Sequence, residues 1–446
     1  MTQPSASLLF GWSPFWVAIA IFLLSYVLII AERINRSIIA LLGAGLMVVS
    51  GLLSQDEAIR GIDFNTIALL TGMMVLVSIS RRCGMFEYLA VWSAKKGRAQ
   101  PWAMLAMLSL VTAVVSAFLD NVTTVLLIAP VTLAVTRRLE VPPYPFLFAE
   151  VFASNIGGTA TLIGDPPNII IGSAANLSFN DFVINLTPVI LVVMAVQLLA
   201  THLVWGRRMQ ASAEARAHVM ALDARAMIVD RPLLHMALLV VGAVIAAFVF
   251  ARPLNLQPGT IAIFGAAVLM LFHNFEHHRD REKQTVRVTE TFGEVDWITI
   301  FFFLGLFVIV HGVDAAGVID ALARRLMAAT GGDPAATAVA ILWASALLSA
   351  IIDNIPFVAA MIPLIREVGP HLGGPEHMLP LWWALSLGAC LGGNGTLIGA
   401  SANLTVAGIA ERNGVEFRFL TYTKHAFGLM LISVAISNLY LWWRYL

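Results

Sequence analysis

The stretch that decides the fold is Asn155-Ile-Gly-Gly-Thr-Ala-Thr-Leu-Ile-Gly-Asp-Pro-Pro-Asn168, a polar, glycine-rich break inside a hydrophobic tract. Three glycines weaken a helix here, and Pro166-Pro167 removes two N–H donors. The tract therefore predicts two half-helices joined by irregular backbone rather than one continuous helix.

Composition places this break in a membrane. The chain has 446 residues, of which 59% are hydrophobic and 12% charged, whereas soluble domains are nearer 25% charged. The net charge of zero argues for neither a nucleic acid nor an acidic partner. Uncharged runs close to the roughly 20 residues that a bilayer requires recur at 14–30, 38–53, 64–80, 184–205, 233–251, 258–272, 297–310 and 427–443.

The sequence repeats itself in one register. At an offset of 233 positions Asp120-Asn121 meets Asp353-Asn354, and at an offset of 235 Gly157-Gly158 meets Gly392-Gly393 and Asn168 meets Asn403. The string Thr-Leu-Ile-Gly recurs in the same register. The repeat predicts a first unit over residues 1–206, a linker over 207–231 and a second unit over 232–446.

The repeat also predicts the topology. Each unit reads as three spans, a re-entrant hairpin, a broken span and a final span. Five crossings is an odd number, so the second unit is inverted. On this topology 21 of the 27 Lys and Arg residues fall on one face, which is then the cytoplasmic face. The predicted fold class is an all-α polytopic membrane protein with about ten spans, two re-entrant hairpins and two broken helices. Its predicted place is a bacterial-type inner membrane, with both termini outside the cytoplasm.

The paired breaks are the predicted transport site. Irregular backbone at membrane depth is tolerated where it is buried in protein or lines a cavity, and paired broken segments in inverted halves mark transporter sites. The alternative, kinked helices packed through glycine, does not explain why Asn and Thr recur at both breaks. The candidate solute-binding residues are Asn121, Thr123, Asn155, Gly157, Gly158, Thr159, Thr161, Asn168, Asn354, Gly392, Gly393, Asn394, Thr396 and Asn403.

Three carboxylates are candidates for proton or cation coupling. Asp120 and Asp353 interrupt apolar tracts, where a charge is expensive and is a functional hypothesis by default. Each also suits the N-cap of the following hairpin arm, and the two roles are compatible. Asp165 has no mirror, because Ala400 occupies the equivalent position. It is therefore a candidate for a step made once per cycle, with a capping role as the alternative.

The strings Asp120-Asn-Val-Thr-Thr-Val-Leu-Leu-Ile-Ala-Pro130 and Asn155 to Asn168 resemble the ion transporter superfamily, which includes divalent-anion and citrate carriers. The resemblance is greatest to the branch of the arsenical pump membrane protein (ArsB-type) and the melanosomal P protein. It implies a scaffold part, a mobile transport part and elevator-like alternating access. Sodium-coupled dicarboxylate members carry Ser-Asn-Thr at the hairpin tips, and this chain departs from that pattern at Asp120-Asn121-Val122 and Asp353-Asn354-Ile355.

The resemblance, with the lack of Lys or Arg in any break, predicts export of arsenite or antimonite in exchange for protons. A sodium/proton antiporter, an organic-anion (carboxylate) carrier and a passive channel remain alternatives. Expected partners are the solute, protons and the lipid bilayer, with a homodimer and a soluble ATPase subunit as further candidates and no nucleic acid. No nucleophile–base pair, phosphate loop or metal motif is present, so neither an enzyme, a catalytic residue, a metal site nor a cofactor is expected.

Overall fold

The computed structural model describes residues 12–31, 33–275 and 280–446, and within these ranges it is helical, with no strand. The fold class predicted from the sequence, an all-α polytopic membrane protein, is confirmed. The α-helices are α1 Pro14–Ile30, α2 Arg36–Val49, α3 Gln55–Arg60, α4 Phe64–Arg81, α5 Met85–Lys96, α6 Pro101–Phe118, α7 Asn121–Arg138, α8 Tyr144–Thr159, α9 Pro166–Ala175, α10 Phe179–Thr201, α11 Ala213–Met220, α12 Arg231–Val249, α13 Pro258–Phe275, α14 Arg281–Gly293, α15 Trp297–Ala315, α16 Val318–Thr330, α17 Pro334–Ser349, α18 Asn354–Val368, α19 Pro375–Gly392, α20 Ser401–Arg412 and α21 Phe419–Tyr445.

Seven helices of the described chain are long and apolar enough to cross a membrane. Large apolar side chains on their outer faces are exposed, among them Leu239 at 68% and Phe264 at 70%, as expected where lipid is the solvent. Helices α1 and α2 are apolar but shorter. The seven spans are Phe64–Arg81, Pro101–Phe118, Phe179–Gly206, Arg231–Val249, Pro258–Phe275, Trp297–Ala315 and Phe419–Tyr445.

The two halves interlock through a pair of equivalent helix contacts. Helix α4 packs on α13, and α15 packs on α2. Both contacts are closest at a glycine: a Cβ on Gly72 would lie 2.5 Å from the backbone carbon of Ala262, and one on Gly305 would lie 2.4 Å from that of Ala40. Gly72 and Gly305 are mirror positions at the offset of 233, so each half supplies the same close-approach glycine to the other.

Each hairpin packs against the broken helix of its own half. Helices α6 and α7 form the first hairpin beside α8, and α17 and α18 form the second beside α19. The Ser116 hydroxyl donates to the Ser154 carbonyl at 2.7 Å, and the mirror hydroxyl of Ser349 donates to the Ala389 carbonyl at 2.7 Å. The two hairpin–helix units are therefore built from the same contacts.

Candidate functional site

The two hairpin tips are helix N-termini capped by aspartate. Asp120 caps α7, accepting from the Thr123 backbone N–H at 2.8 Å and the Thr123 hydroxyl at 2.5 Å. Asp353 caps α18 and accepts from the Ile355 N–H at 3.1 Å. A cap satisfies donors that a helix cannot satisfy itself. Both carboxylates therefore have a structural role in addition to the coupling role that the sequence predicts.

The mirrored asparagines of the breaks hold the irregular backbone. The Asn168 amide donates to the carbonyls of Thr159 at 3.1 Å and Thr161 at 2.9 Å. The Asn403 amide donates to the carbonyls of Gly393 and Thr396, both at 2.8 Å. These carbonyls lie where the broken helices end, and buried backbone acceptors need partners. The asparagine side chains therefore replace the missing helical hydrogen bonds.

The mirrored threonines tie each break to its hairpin. The Thr161 hydroxyl donates to the Ala117 carbonyl at 2.5 Å, and the Thr396 hydroxyl donates to the Ala350 carbonyl. Thr159 donates instead to the Asn155 carbonyl, at 2.7 Å within its own helix. These hydroxyls of the predicted solute-binding set already have protein partners.

The break glycines allow backbone-to-backbone packing. A Cβ on Gly157 would lie 2.1 Å from the Ala113 carbonyl oxygen, and one on Gly392 would lie 2.5 Å from that of Ala346. A Cβ on Gly158 would lie 2.5 Å from the Gly164 carbonyl oxygen, and one on Gly393 would lie 2.9 Å from that of Gly399. The structure thus places all four glycines against protein backbone.

Four buried amides meet at the centre of the molecule. The Asn121 amide donates to the Asn155 side-chain oxygen at 3.0 Å. The Asn155 amide donates to the side-chain oxygens of Asn394 and Asn403, both at 2.9 Å. The side-chain N–H groups of Asn394 find no partner among the described residues. This amide cluster joins the first hairpin tip to both broken helices.

Asp165, in the first break, contacts the tip of the second hairpin. It is fully buried, and both its carboxylate oxygens lie 3.4 Å from the Asn354 side-chain nitrogen. It occupies the N-cap position of α9 without a capping hydrogen bond. Pro166 and Pro167 follow it, so the first two helical positions offer no N–H. The carboxylate is therefore free to face the opposite half.

Cys390 takes the place of an amide in the second half. Its thiol donates to the Asn168 side-chain oxygen at 3.6 Å, which also accepts from the Ser386 hydroxyl at 2.6 Å. This contact is the mirror of Asn155 to Asn403. The two broken helices are thus hydrogen-bonded to each other at mirrored positions, through an amide donor in one case and a thiol donor in the other.

Arg36 is a site residue that the sequence reasoning missed. It is the first residue of α2, and its guanidinium lies 3.4 Å from Asp353 Oδ2 and donates to the hydroxyls of Ser401 at 2.7 Å and Thr299 at 2.9 Å. Neither broken segment contains a Lys or Arg of its own, as the sequence indicates. The Arg36 guanidinium nevertheless contacts the second break from helix α2. In the sequence Arg36 is one of the 21 basic residues on the predicted cytoplasmic face, and nothing in the pattern distinguishes it from the others.

A cavity of about 130 Å³ joins the two hairpin tips. A water needs roughly 10–15 Å³ of such space, so the cavity accommodates a small solute. Among the described residues its walls carry more carboxylates than guanidinium groups. They include a partly exposed Arg81–Glu294 pair at 3.9 Å. The polar and charged wall residues are Arg36, Ser78, Arg81, Asp120, Asn121, Thr123, Asp165, Glu294, Asp296, Thr299, Asn354 and Ser401.

The cavity brings together part of the predicted set. Asp120, Asn121, Thr123, Asp165 and Asn354 line it. Asp353, the ion-pair partner of Arg36, lines an adjacent cavity. The remaining predicted residues lie beneath this layer in the amide cluster and the break backbone. In the part of the chain that the structure describes, no group of three or more His, Cys, Asp or Glu side chains is placed to hold a metal ion.

A polytopic helical protein with two hairpins meeting at a cavity among broken helices is a membrane transporter by class. The family model described as citrate transporter, CitMHS, matches residues 26–388. The chain belongs to this family. The membrane location and the transporter class predicted from the sequence are confirmed at this level.

Relatives agree with this assignment, and a solved structure shares the fold. An uncharacterized transporter of Mycobacterium tuberculosis is 44% identical over 96% of this chain and 98% of the relative. The human P protein is 36% identical over 95% of this chain and 59% of its own length. The crystal structure of the Alcanivorax borkumensis YdaH transporter aligns with a TM-score of 0.61 at 14% identity, covering 96% of this chain and 97% of that one. The last comparison bears on the fold alone.

Proposed function

We propose that this chain is a proton-coupled secondary transporter that exports a small, neutral, oxygen-rich solute, with arsenite and antimonite as the first candidates. The observation that carries the proposal is the cavity in which Asp165 faces Asn354 across the two halves. A buried carboxylate held by a single amide can exchange a proton when the halves move relative to each other. The movement is then coupled to the protonation state of Asp165.

The charge of the cavity supports a neutral cargo. Asp120, Asp165, Glu294 and Asp296 face it, against the guanidinium groups of Arg36 and Arg81. Four carboxylates against two guanidinium groups leave no surplus of positive charge to bind an anion, whereas a trihydroxide of arsenic or antimony carries no charge at neutral pH. Such a solute donates to carboxylates and accepts from amides, and both groups line the walls.

A carboxylate substrate is the second candidate, and Arg36 favours it. Its guanidinium reaches the second hairpin tip, and a planar guanidinium binds carboxylates in a bidentate geometry. The family description names citrate. For this candidate the substrate would compete with Asp353 for Arg36.

The proposed orientation places the cavity mouth on the cytoplasmic side. Arg81 and Glu294 are solvent-accessible residues of the cavity lining, and Arg81 belongs to the face that carries 21 of the 27 Lys and Arg residues. On that orientation the structure is open to the cytoplasm, where an exporter loads its cargo.

Transport by everted vesicles carrying a pH gradient tests both candidates. Wild type should accumulate arsenite, Asp165→Asn should not, and Asp56→Asn, an exposed carboxylate of α3, should behave as wild type. Accumulation of citrate instead, lost in Arg36→Gln, would establish the second candidate. Sodium-dependent proton flux with no movement of either solute would replace both by an antiporter.

A further inference from the structure

Glu150 is a buried carboxylate outside the cavity, near the middle of α8. Its side chain is 1% exposed. The Thr132 hydroxyl of α7 donates to its Oε1, while Oε2 has no partner among the described residues. A carboxyl group with one hydrogen bond in an apolar interior needs either a second partner or a proton.

Two further buried hydroxyls lie along the same junction between α6 and α8. Helices α6 and α8 run side by side, with Ala113 against Gly157 and Ser116 bonded to Ser154. Glu150 precedes Ser154 by four residues and Gly157 by seven, so all three share one stripe of α8. Ser109 and Thr112 lie on the matching stripe of α6, and their buried hydroxyls are without a described partner.

The mirror half shows that the fold does not require this polarity. At the repeat offsets Glu150 corresponds to Leu385, Thr132 to Ile365 and Ser109 to Leu342. All three mirror residues are fully buried. Thr112 corresponds to Ser345, whose hydroxyl is also buried and without a described partner. The same helix junction therefore keeps one hydroxyl in both halves but carries a carboxylic acid in only one of them.

Among the described residues, no charged side chain forms an ion pair with Glu150, and the Thr132 hydroxyl is its one hydrogen-bond partner. The helices packed on α8 carry their charged and titratable groups at their ends, or in α19 at the Cys390 thiol of the mirrored break; α6 has none. Those of the described ends are Arg137 and Arg138 of α7, Asp181 of α10, His377 of α19, and Glu411 and Arg412 of α20. Helix α21 also contacts α8, where its Tyr422 and His425 rings pack against Phe148.

From this geometry we propose that Glu150 is a second proton-binding site of the transporter, separate from the carboxylates of the cavity. It lies five residues before Asn155 on the same helix, about 7.5 Å along the axis at 1.5 Å per residue. A change at the amide cluster therefore reaches Glu150 through one rigid element. The proton leaves when α7 and α8 shift and water reaches Oε2, and it returns when they close.

The inference rests on the proposed proton coupling, and its test separates the two. Infrared difference spectra of the reconstituted protein detect the C=O stretch of a protonated carboxylic acid without any cargo. Wild type should show this band at neutral pH, and Glu150→Gln should lose it. Asp165→Asn should keep the Glu150 band. A band unchanged in Glu150→Gln overturns the proposal, whatever solute is carried.

The transport arm measures how many protons are coupled. With the membrane potential held at zero, each coupled proton changes the accumulation ratio about tenfold per unit of pH gradient. Glu150→Gln should lower the slope of log accumulation against the pH gradient by one, with solute counterflow retained. Glu150→Leu, which copies the mirror residue, should fold and show the same loss. Wild-type slopes in both variants refute the proposal.

Discussion

Alanine at Gly157 or Gly392 tests whether the glycines of the breaks pack helices or bind solute. The added Cβ would lie 2.1 Å from the Ala113 carbonyl oxygen in the first case and 2.5 Å from the Ala346 oxygen in the second. Both obstacles are backbone atoms, so no side chain can rotate away. The hairpin and the broken helix must move apart for the methyl group to fit.

The expected cost follows from this geometry. Extra methyl groups in a packed interior cost about 1–3 kcal/mol, and these contacts fall at the upper end because the backbone cannot yield. Glycine to alanine at an open helical position instead stabilises by roughly 0.5–1 kcal/mol. Gly242 of α12 and Gly428 of α21 have nothing within 4 Å of an added Cβ, so they are matched controls.

Thermal unfolding of the four purified variants in detergent measures the difference. Gly157→Ala and Gly392→Ala should unfold at lower temperature than wild type, with Gly157→Ala the lower of the two. Gly242→Ala and Gly428→Ala should match or exceed wild type. Break variants with wild-type stability and no transport would refute the packing role and favour direct contact with solute.

Arg36→Gln removes the hydrogen bonds that join α2 to the second break and should lower the free energy of unfolding by about 1–3 kcal/mol. Arg252→Gln, at an exposed ion pair, should change it by about 0–1 kcal/mol. Parallel thermal melts compare the two variants. Thr161→Val removes the bond from the break to its hairpin and should cost about 1–3 kcal/mol, more than Thr71→Val, whose hydroxyl bonds only within its own helix; denaturant titration checks this order. Asp120→Asn should abolish uphill transport while counterflow continues, and uphill transport at the wild-type rate would place coupling elsewhere.

The fold could be predicted from the sequence because the signals that define it are local. Uncharged runs, paired Gly and Pro breaks and a repeat in constant register each specify an element without knowledge of its neighbours. The helix breaks at Gly157–Pro166 and the aspartate caps at Asp120 and Asp353 follow from backbone chemistry alone. The two breaks make the same contacts because the same residues recur there, whereas the two caps differ, since Pro356 occupies the position equivalent to Thr123.

The site was harder to predict because its partners come from distant segments. Arg36 reaches Asp353 over 317 positions, and Asp165 reaches Asn354 over 189. Neither pair leaves a spacing signal. Glu150 was missed for another reason: it stands alone in an apolar helix, and its lack of a mirror becomes visible only when Leu385 is compared with it.

Within the proposed mechanism, the unmirrored carboxylates Asp165 and Glu150 have a different role from the mirrored residues of the breaks. Thr161, Asn168 and Gly157 recur with their contacts in the second half, so they serve a framework that both halves share. If the two inverted halves exchange conformations between the inward-open and outward-open states, these contacts are present in both states. Asp165 and Glu150 have Ala400 and Leu385 as counterparts, so their surroundings cannot be restored by such an exchange. A group whose surroundings differ between two states also differs in its proton affinity between them, and that difference is what coupling to a pH gradient requires.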